Sequence, residues 1–320
     1  MKKIAVVILL TVFSAFSSVS LCFADENLTV WGLKGPSGIG MIRLFENPPK
    51  IAGFNVSVEA AGDAGLMAGM LTSGSAKVGI LPPNVAAKIA SFGKNLKIAA
   101  VTGEGMLRLL TADLSIKSIE GLRGKSVSVA GQGSVPEYVF RKILMAHNLK
   151  PDTDINMDFS LAYPEIAQSL IAGRISSALI PEPFASMAQN GNSKLYSIAD
   201  VQAEWIKAGG GGSYPMTVLV IDGAFADANP TVIKIILDAC KDSINWVKAN
   251  PAEAGDLVEK HKLGVRAPVV TMSVPRSNYV FVDAVQAKPQ LESLFKTFLE
   301  FAPASIGGKM PQDSFYYAPR

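Results

Sequence analysis

Two short segments carry the residue types best suited to holding a small molecule. Gly131-Gln132-Gly133-Ser134 follows a predicted strand and opens a predicted helix, with Glu137 three residues past the serine. The glycines let backbone approach a ligand closely, and Ser134 with Glu137 fits a capping box. Free amides at such a helix mouth attract an oxyanion. Ser134 can equally do no more than cap its own helix. Lys34-Gly35-Pro36-Ser37 repeats the arrangement after the first strand, and Lys34 is the only cation in these strand-end loops. That lysine either neutralises an acidic substituent or stays solvated.

The remaining candidates are carboxylates and aromatics at the ends of other strands. Glu104, Glu165 and Glu182 suit an amine or a ring N–H donor, although Glu182, between two prolines, can instead cap a helix. Tyr163 and Tyr214 flank prolines in predicted turns and offer stacking surfaces, as against simple packing. Pro82 ends a strand, and Asn84 sits where the next helix begins. Enzymatic constellations are sparse. There is no G-x-S-x-G elbow, no phosphate-binding loop and no zinc pattern, and His147 and His261 stand alone in helical segments. No catalytic group, metal or cofactor is expected.

A duplicated unit positions these residues. Leu71, Gly74 and Pro82 match Leu170, Gly173 and Pro181 at one constant offset, and upstream Val56, Val58 and Ala60 of an alternating strand match Ile155, Met157 and Phe159 at that same offset. Each copy reads strand, helix, strand: the helix stops at a glycine suited to the left-handed conformation, and the second strand stops at a proline. Proline has no amide to donate and turns the chain out at the carboxyl edge, where open α/β sheets hold ligands. Two such edges facing each other would form a cleft. A single doubly wound sheet would give the same echo.

Bulk properties narrow the class. A chain of 320 residues, 49% of them hydrophobic, can bury the core of two domains. Lys2 and Lys3 precede an apolar run from Ile4 to Phe13 and the small residues before Asp25, which reads as an export signal over residues 1–24. Cleavage after Ala24 is expected; lipidation at Cys22, next to the bulky Leu21, is the alternative. Without the two leader lysines the formal charge falls from +3 to +1, which argues against a nucleic-acid surface. Cys240 would then be the remaining cysteine, in an apolar helical segment where a buried role fits. Asn229-Pro230 and Asn250-Pro251 pair an amide that can cap with a proline suited to the first turn, so the carboxyl-terminal part is expected to be helical and without candidate chemistry.

The segments SIEGLRGKSVSVAGQGSVPEYVFRKIL (118–144) and LIPEPFASMAQ (179–189), and the helical passage from Asn229 to Ala254, resemble the periplasmic binding proteins of the nitrate, sulfonate, taurine and thiamine-precursor group. The resemblance covers nearly all of the chain beyond the leader. It implies an α/β fold of two lobes, the type II-like periplasmic binding protein fold, each lobe a mixed sheet flanked by helices. By resemblance the crossings fall near Thr111–Ser115 and Ser213–Met216, giving a discontinuous first lobe (27–113 and 215–320) and a second lobe (114–214).

The implied role is the extracytoplasmic, periplasmic solute-binding part of an ABC importer, expected as a monomer, whose partners are a small-molecule ligand, a membrane permease and its ATPase. The ligand class expected is a small polar organic molecule, an anion or a heterocycle. The residues expected to touch it are Lys34, Gly35, Ser37, Pro82, Asn84, Gln132, Gly133, Ser134, Tyr163, Glu182 and Tyr214. Two other functions stay open: an enzyme of the pyrimidine-synthase type on the same fold, against which the absence of that family's cysteine-rich motif counts, and a ligand-binding partner of a separate sensor.

Overall fold

The computed structural model describes residues 25–319. The expected leader, with Cys22 and the Ala24 cleavage point, lies outside the described residues. Eleven strands are described: β1 (Glu26–Leu33), β2 (Phe54–Ala61), β3 (Val78–Leu81), β4 (Leu96–Glu104), β5 (Leu107–Thr111), β6 (Ser126–Val129), β7 (Asn156–Asp158), β8 (Ser177–Pro181), β9 (Tyr196–Ala199), β10 (Pro215–Asp222) and β11 (Tyr279–Asp283). They form two mixed sheets flanked by helices, in the orders β11-β4-β10-β3-β1-β2 and β7-β6-β8-β5-β9.

Sequence pattern and strand position agree. All four residues of β3, Val-Gly-Ile-Leu, are buried, as the interior of a sheet covered on both faces requires. Strand β2 lies at the edge, and its alternating residues put one face toward the core and the other toward water. The helix Ala64–Ser73 starts where the Asp63 carboxylate accepts the Leu66 N–H at 2.8 Å and stops at Gly74, whose φ is 81°.

The internal echo corresponds to a repeated topology. In the first sheet β1 lies between β2 and β3, all parallel; in the second β6 lies between β7 and β8, all parallel. Beside each trio runs an antiparallel strand, β10 next to β3 and β5 next to β8.

Three sequence expectations need correction. Residues 107–113 do not belong with the first sheet: β5 pairs with β8 and β9, so the chain first crosses between sheets at Gly105 and Met106 rather than near Thr111–Ser115. An apolar run reports that a strand is buried, not which sheet accepts it. The return crossing runs between the helix Val201–Lys207 and β10.

The carboxyl-terminal part is not wholly helical, since β11 pairs antiparallel with β4 and completes the first sheet. Asn229 and Asn250 do not cap the helices that follow them. Their side-chain amides donate to the carbonyls of Phe225 and Trp246 and close the preceding helices instead.

The two lobes share apolar packing. Tyr138 of the second lobe meets Phe298 of the first edge-on, with ring centroids 4.9 Å apart, and both belong to one continuous core.

Candidate functional site

The parallel strands of both sheets aim their carboxyl ends into one gap. From the first lobe β1 delivers Leu33 to Ser37, β2 delivers Gly62 to Ala64, and β3 delivers Pro82, while β10 adds Met216 and Thr217. From the second lobe the loop after β6 delivers Ser134 to Pro136, the loop after β7 Tyr163 and Pro164, and β8 Pro181 with Phe184 beyond it. Met106, at the crossing, and Leu263 with Gly264 complete a cavity of about 390 Å³. Strand ends at a switch between lobes are where α/β folds hold ligands.

Six of the expected residues line this cavity: Lys34, Gly35, Ser37, Pro82, Ser134 and Tyr163. The Ser37 and Thr217 hydroxyls are 3.3 Å apart on its wall. Local sterics fix the first-lobe loop: a Cβ on Gly38 would lie 2.0 Å from the Leu33 carbonyl oxygen, so only glycine lets the chain turn back so tightly there. Tyr163 stacks on Phe184 with centroids 5.9 Å apart and planes at 27°. Burial pushes the Tyr163 hydroxyl up to about 12, so it is a proton donor at neutral pH.

The glycine loop adopts a different set of bonds from the expected capping box. Gly131 and Gly133 have φ of 82° and 77°, and this curl turns the Gly131 carbonyl toward Ser134, whose hydroxyl donates to it. Glu137 reaches back past Ser134 to accept the Gly133 N–H at 2.7 Å, and its other oxygen accepts from Arg141 Nε at 2.7 Å. The loop is therefore held largely by its own side chains.

Five expected residues stand outside the lining. Gln132 is exposed to solvent, and the Gly133 N–H is taken by Glu137. Asn84 is buried and donates from Nδ2 to the Gly133 carbonyl at 3.2 Å, a bond from the first lobe to the second; its Oδ1 has no partner. Glu182 is fully buried. One carboxylate oxygen accepts the Ser186 N–H at 2.9 Å, and the other lies 3.0 Å from Arg276 and 3.6 Å from Arg108. Tyr214 is also fully buried, packed against Trp205, and its hydroxyl accepts the Leu107 N–H at 3.2 Å. Both residues flank prolines, but Arg276 of the first lobe covers Glu182 and Trp205 covers Tyr214, contacts that no local pattern carries.

Sequence reasoning missed Met106, Met216, Thr217, Leu263 and Gly264 among the lining residues. Apolar side chains in buried strands and helices give no signal of facing a cavity. Phe184, an aromatic beside Pro183, was visible but indistinguishable from packing. Cys240 and the histidines are not in the lining; Cys240 is buried, which pushes its thiol up to about 12. Among the described residues no group of side chains is arranged to hold a metal ion.

A model of the NMT1-like family matches residues 61–260. The chain belongs to the NMT1-like family. The matched span takes in the whole second sheet and the cavity loops from Gly62 to Thr217, but not the loop with Lys34 and Ser37 or the Leu263-Gly264 turn. Among curated proteins none matches this sequence.

Solved structures resemble this NMT1-like chain over most of its length. An ABC transporter protein from Parabacteroides distasonis is 23% identical, covering 92% of this chain and all of its own, with a TM-score of 0.79. The periplasmic aliphatic sulphonate binding protein from Escherichia coli is 20% identical, covering 92% of this chain and 93% of its own, with a TM-score of 0.72. The periplasmic nitrate-binding protein from Synechocystis is 12% identical, covering 87% and 82%, with a TM-score of 0.67. At these identities the likeness establishes the two-lobed periplasmic binding protein fold for the NMT1-like chain.

Proposed function

We propose that this protein is the extracytoplasmic solute-binding component of an ABC importer. The observation that carries the reading is the cavity built from the carboxyl ends of both sets of parallel strands, with lining from each lobe. A solute touching both lobes binds the closed arrangement better than an open one, so binding and closure are one equilibrium. The same family and fold support the partners: a membrane permease with its ATPase would take the solute from the closed protein. Among the described residues no helix is long and apolar enough to cross a membrane, which agrees with a chain that works beside a separate permease.

Within the proposed site, Lys34, Gly35, Ser37, Pro82, Ser134 and Tyr163 contact the solute directly. Asn84 and Gly133 contribute to closure through their hydrogen bond across the gap. Gln132, at the exposed tip of the glycine loop, is a contact for a larger solute.

The test is a thermal-shift screen of the purified protein against organic acids, amides, sulfonates, nitrate, pyrimidines and flavins, followed by small-angle scattering. A bound solute at 100 times its dissociation constant stabilises by about 2.7 kcal/mol, and a closing protein also becomes more compact. A panel with no shift and no compaction would count against solute binding.

A further inference from the structure

We infer that the cavity recognises an apolar, aromatic-sized body, with the charge of any head group contributing little to affinity. This rests on the solute-binding reading and narrows it to a ligand class.

Three observations carry the inference. First, the lining is poor in charge. Lys34 and Asp63 are its charged members, of opposite sign and both exposed, and Asp63 already accepts the Leu66 N–H. The rest of the wall includes Leu33, Met106, Phe184, Met216 and Leu263. A compact anion moved from water to such a wall loses solvation that one solvent-exposed lysine does not replace.

Second, the helix starts that face the cavity have lost amide donors. Pro36, Pro136 and Pro164 each occupy the first turn of a helix at the cavity edge, and each removes one N–H. The donor Gly133 could have offered is taken by Glu137, and the Ser134 hydroxyl by the Gly131 carbonyl. A tetrahedral or planar oxyanion needs several convergent donors, and these five positions no longer supply them.

Third, the space and its surfaces suit a larger flat group. About 390 Å³ holds roughly a dozen waters, far more than a four-atom anion displaces. Tyr163 and Phe184 present stacked rings from one lobe, and Met106 and Met216 offer adaptable thioethers from the other side. The Ser37, Thr217 and Tyr163 hydroxyls suffice to orient one polar end, charged or neutral.

Isothermal titration calorimetry of the purified protein with two probe sets tests this. The first set is 3-phenylpropionate and its neutral amide, 3-phenylpropionamide. The second is nitrate, taurine and methanesulfonate. The expected result is that both phenyl probes bind with affinities within about tenfold of each other and with a negative heat-capacity change, while the compact anions bind at least ~100-fold more weakly. Met216→Gln should weaken the phenyl probes about tenfold, with thermal unfolding checking that it folds.

Binding of nitrate, taurine or methanesulfonate as tight as that of the phenyl probes overturns the inference and leaves solute binding standing. So does a requirement for the carboxylate over the amide by more than ~100-fold. If neither set binds, the inference fails; if nothing in the wider screen binds either, the proposed function fails with it.

Discussion

The guanidinium of Arg276, on the first lobe, lies 3.0 Å from the Glu182 carboxylate on the second, and that carboxylate is fully buried. Arg276 also donates to Gln189 of the second lobe at 2.8 Å, and its own carbonyl accepts from Arg108 at 2.8 Å. A buried carboxylate thus depends on a side chain from the opposite lobe. This clasp ties fold stability to the arrangement of the lobes.

Removing Arg276 tests that dependence. Arg276→Ala leaves the Glu182 carboxylate with Arg108, at 3.6 Å, as its paired cation beside the Ser186 N–H, and an under-satisfied buried charge destabilises by about 1–3 kcal/mol. Urea unfolding should show this loss, and scattering should show a less compact protein. Adding Glu182→Gln to the same chain should recover part of the stability, because the neutral amide no longer needs a counter-charge. No recovery would mean that Arg276 acts through packing.

The Asn84 to Gly133 bond is the corresponding link at the cavity. Asn84→Ala removes one hydrogen bond worth about 0.5–1.5 kcal/mol. Asn84→Asp is expected to be worse, since a carboxylate would face the Gly133 carbonyl with no proton to donate. Scattering of the Asp variant should report more open lobes than wild type, and equal compaction of the two would exclude a role in closure.

Gly38 is expected to be intolerant for a purely steric reason. In Gly38→Ala the new Cβ would meet the Leu33 carbonyl oxygen at 2.0 Å, and backbone must move. Overpacking of this kind destabilises by about 1–3 kcal/mol. Because the shift falls between Lys34 and Ser37, binding of 3-phenylpropionate should weaken along with the melting temperature.

His147 gives a pH dependence whose sign follows from its neighbours. Burial alone would lower its pKa, but the Glu120 and Glu204 carboxylates on its two ring nitrogens raise it above the ordinary value. The stabilisation is therefore complete below an unfolded-state pKa near about 6.5 and is lost as pH rises through the higher folded value. Wild type should lose stability from about pH 6.5 upward relative to His147→Gln, as followed by denaturation midpoints across pH. Parallel profiles would show that folding does not raise the pKa of this histidine.

Much of the architecture is determined by local sequence alone. The alternation in Phe54–Ala61, the run Val78–Leu81, the glycine stops at Gly74 and Gly173 and the prolines at 82 and 181 define two strand-helix-strand units. Each signal reflects backbone preference or one-sided burial, and these act within a few residues. The loops with Lys34, Ser37, Ser134 and Tyr163 are legible for the same reason, since they must follow the carboxyl ends of those strands.

Tertiary structure alone decided which sheet took β5, that β11 would close the first sheet, and which strand-end residues kept access to the gap. Glu182 and Tyr214 sit in segments that read as open turns, yet the opposite lobe and Trp205 cover them. Leu263 and Gly264 sit in an unremarkable turn after a helix, yet they form part of the cavity wall. Chain-local patterns specify that a side chain has a buried or an exposed face. What lies against that face is set by contacts between residues far apart in sequence, and only the folded arrangement of both lobes supplies those.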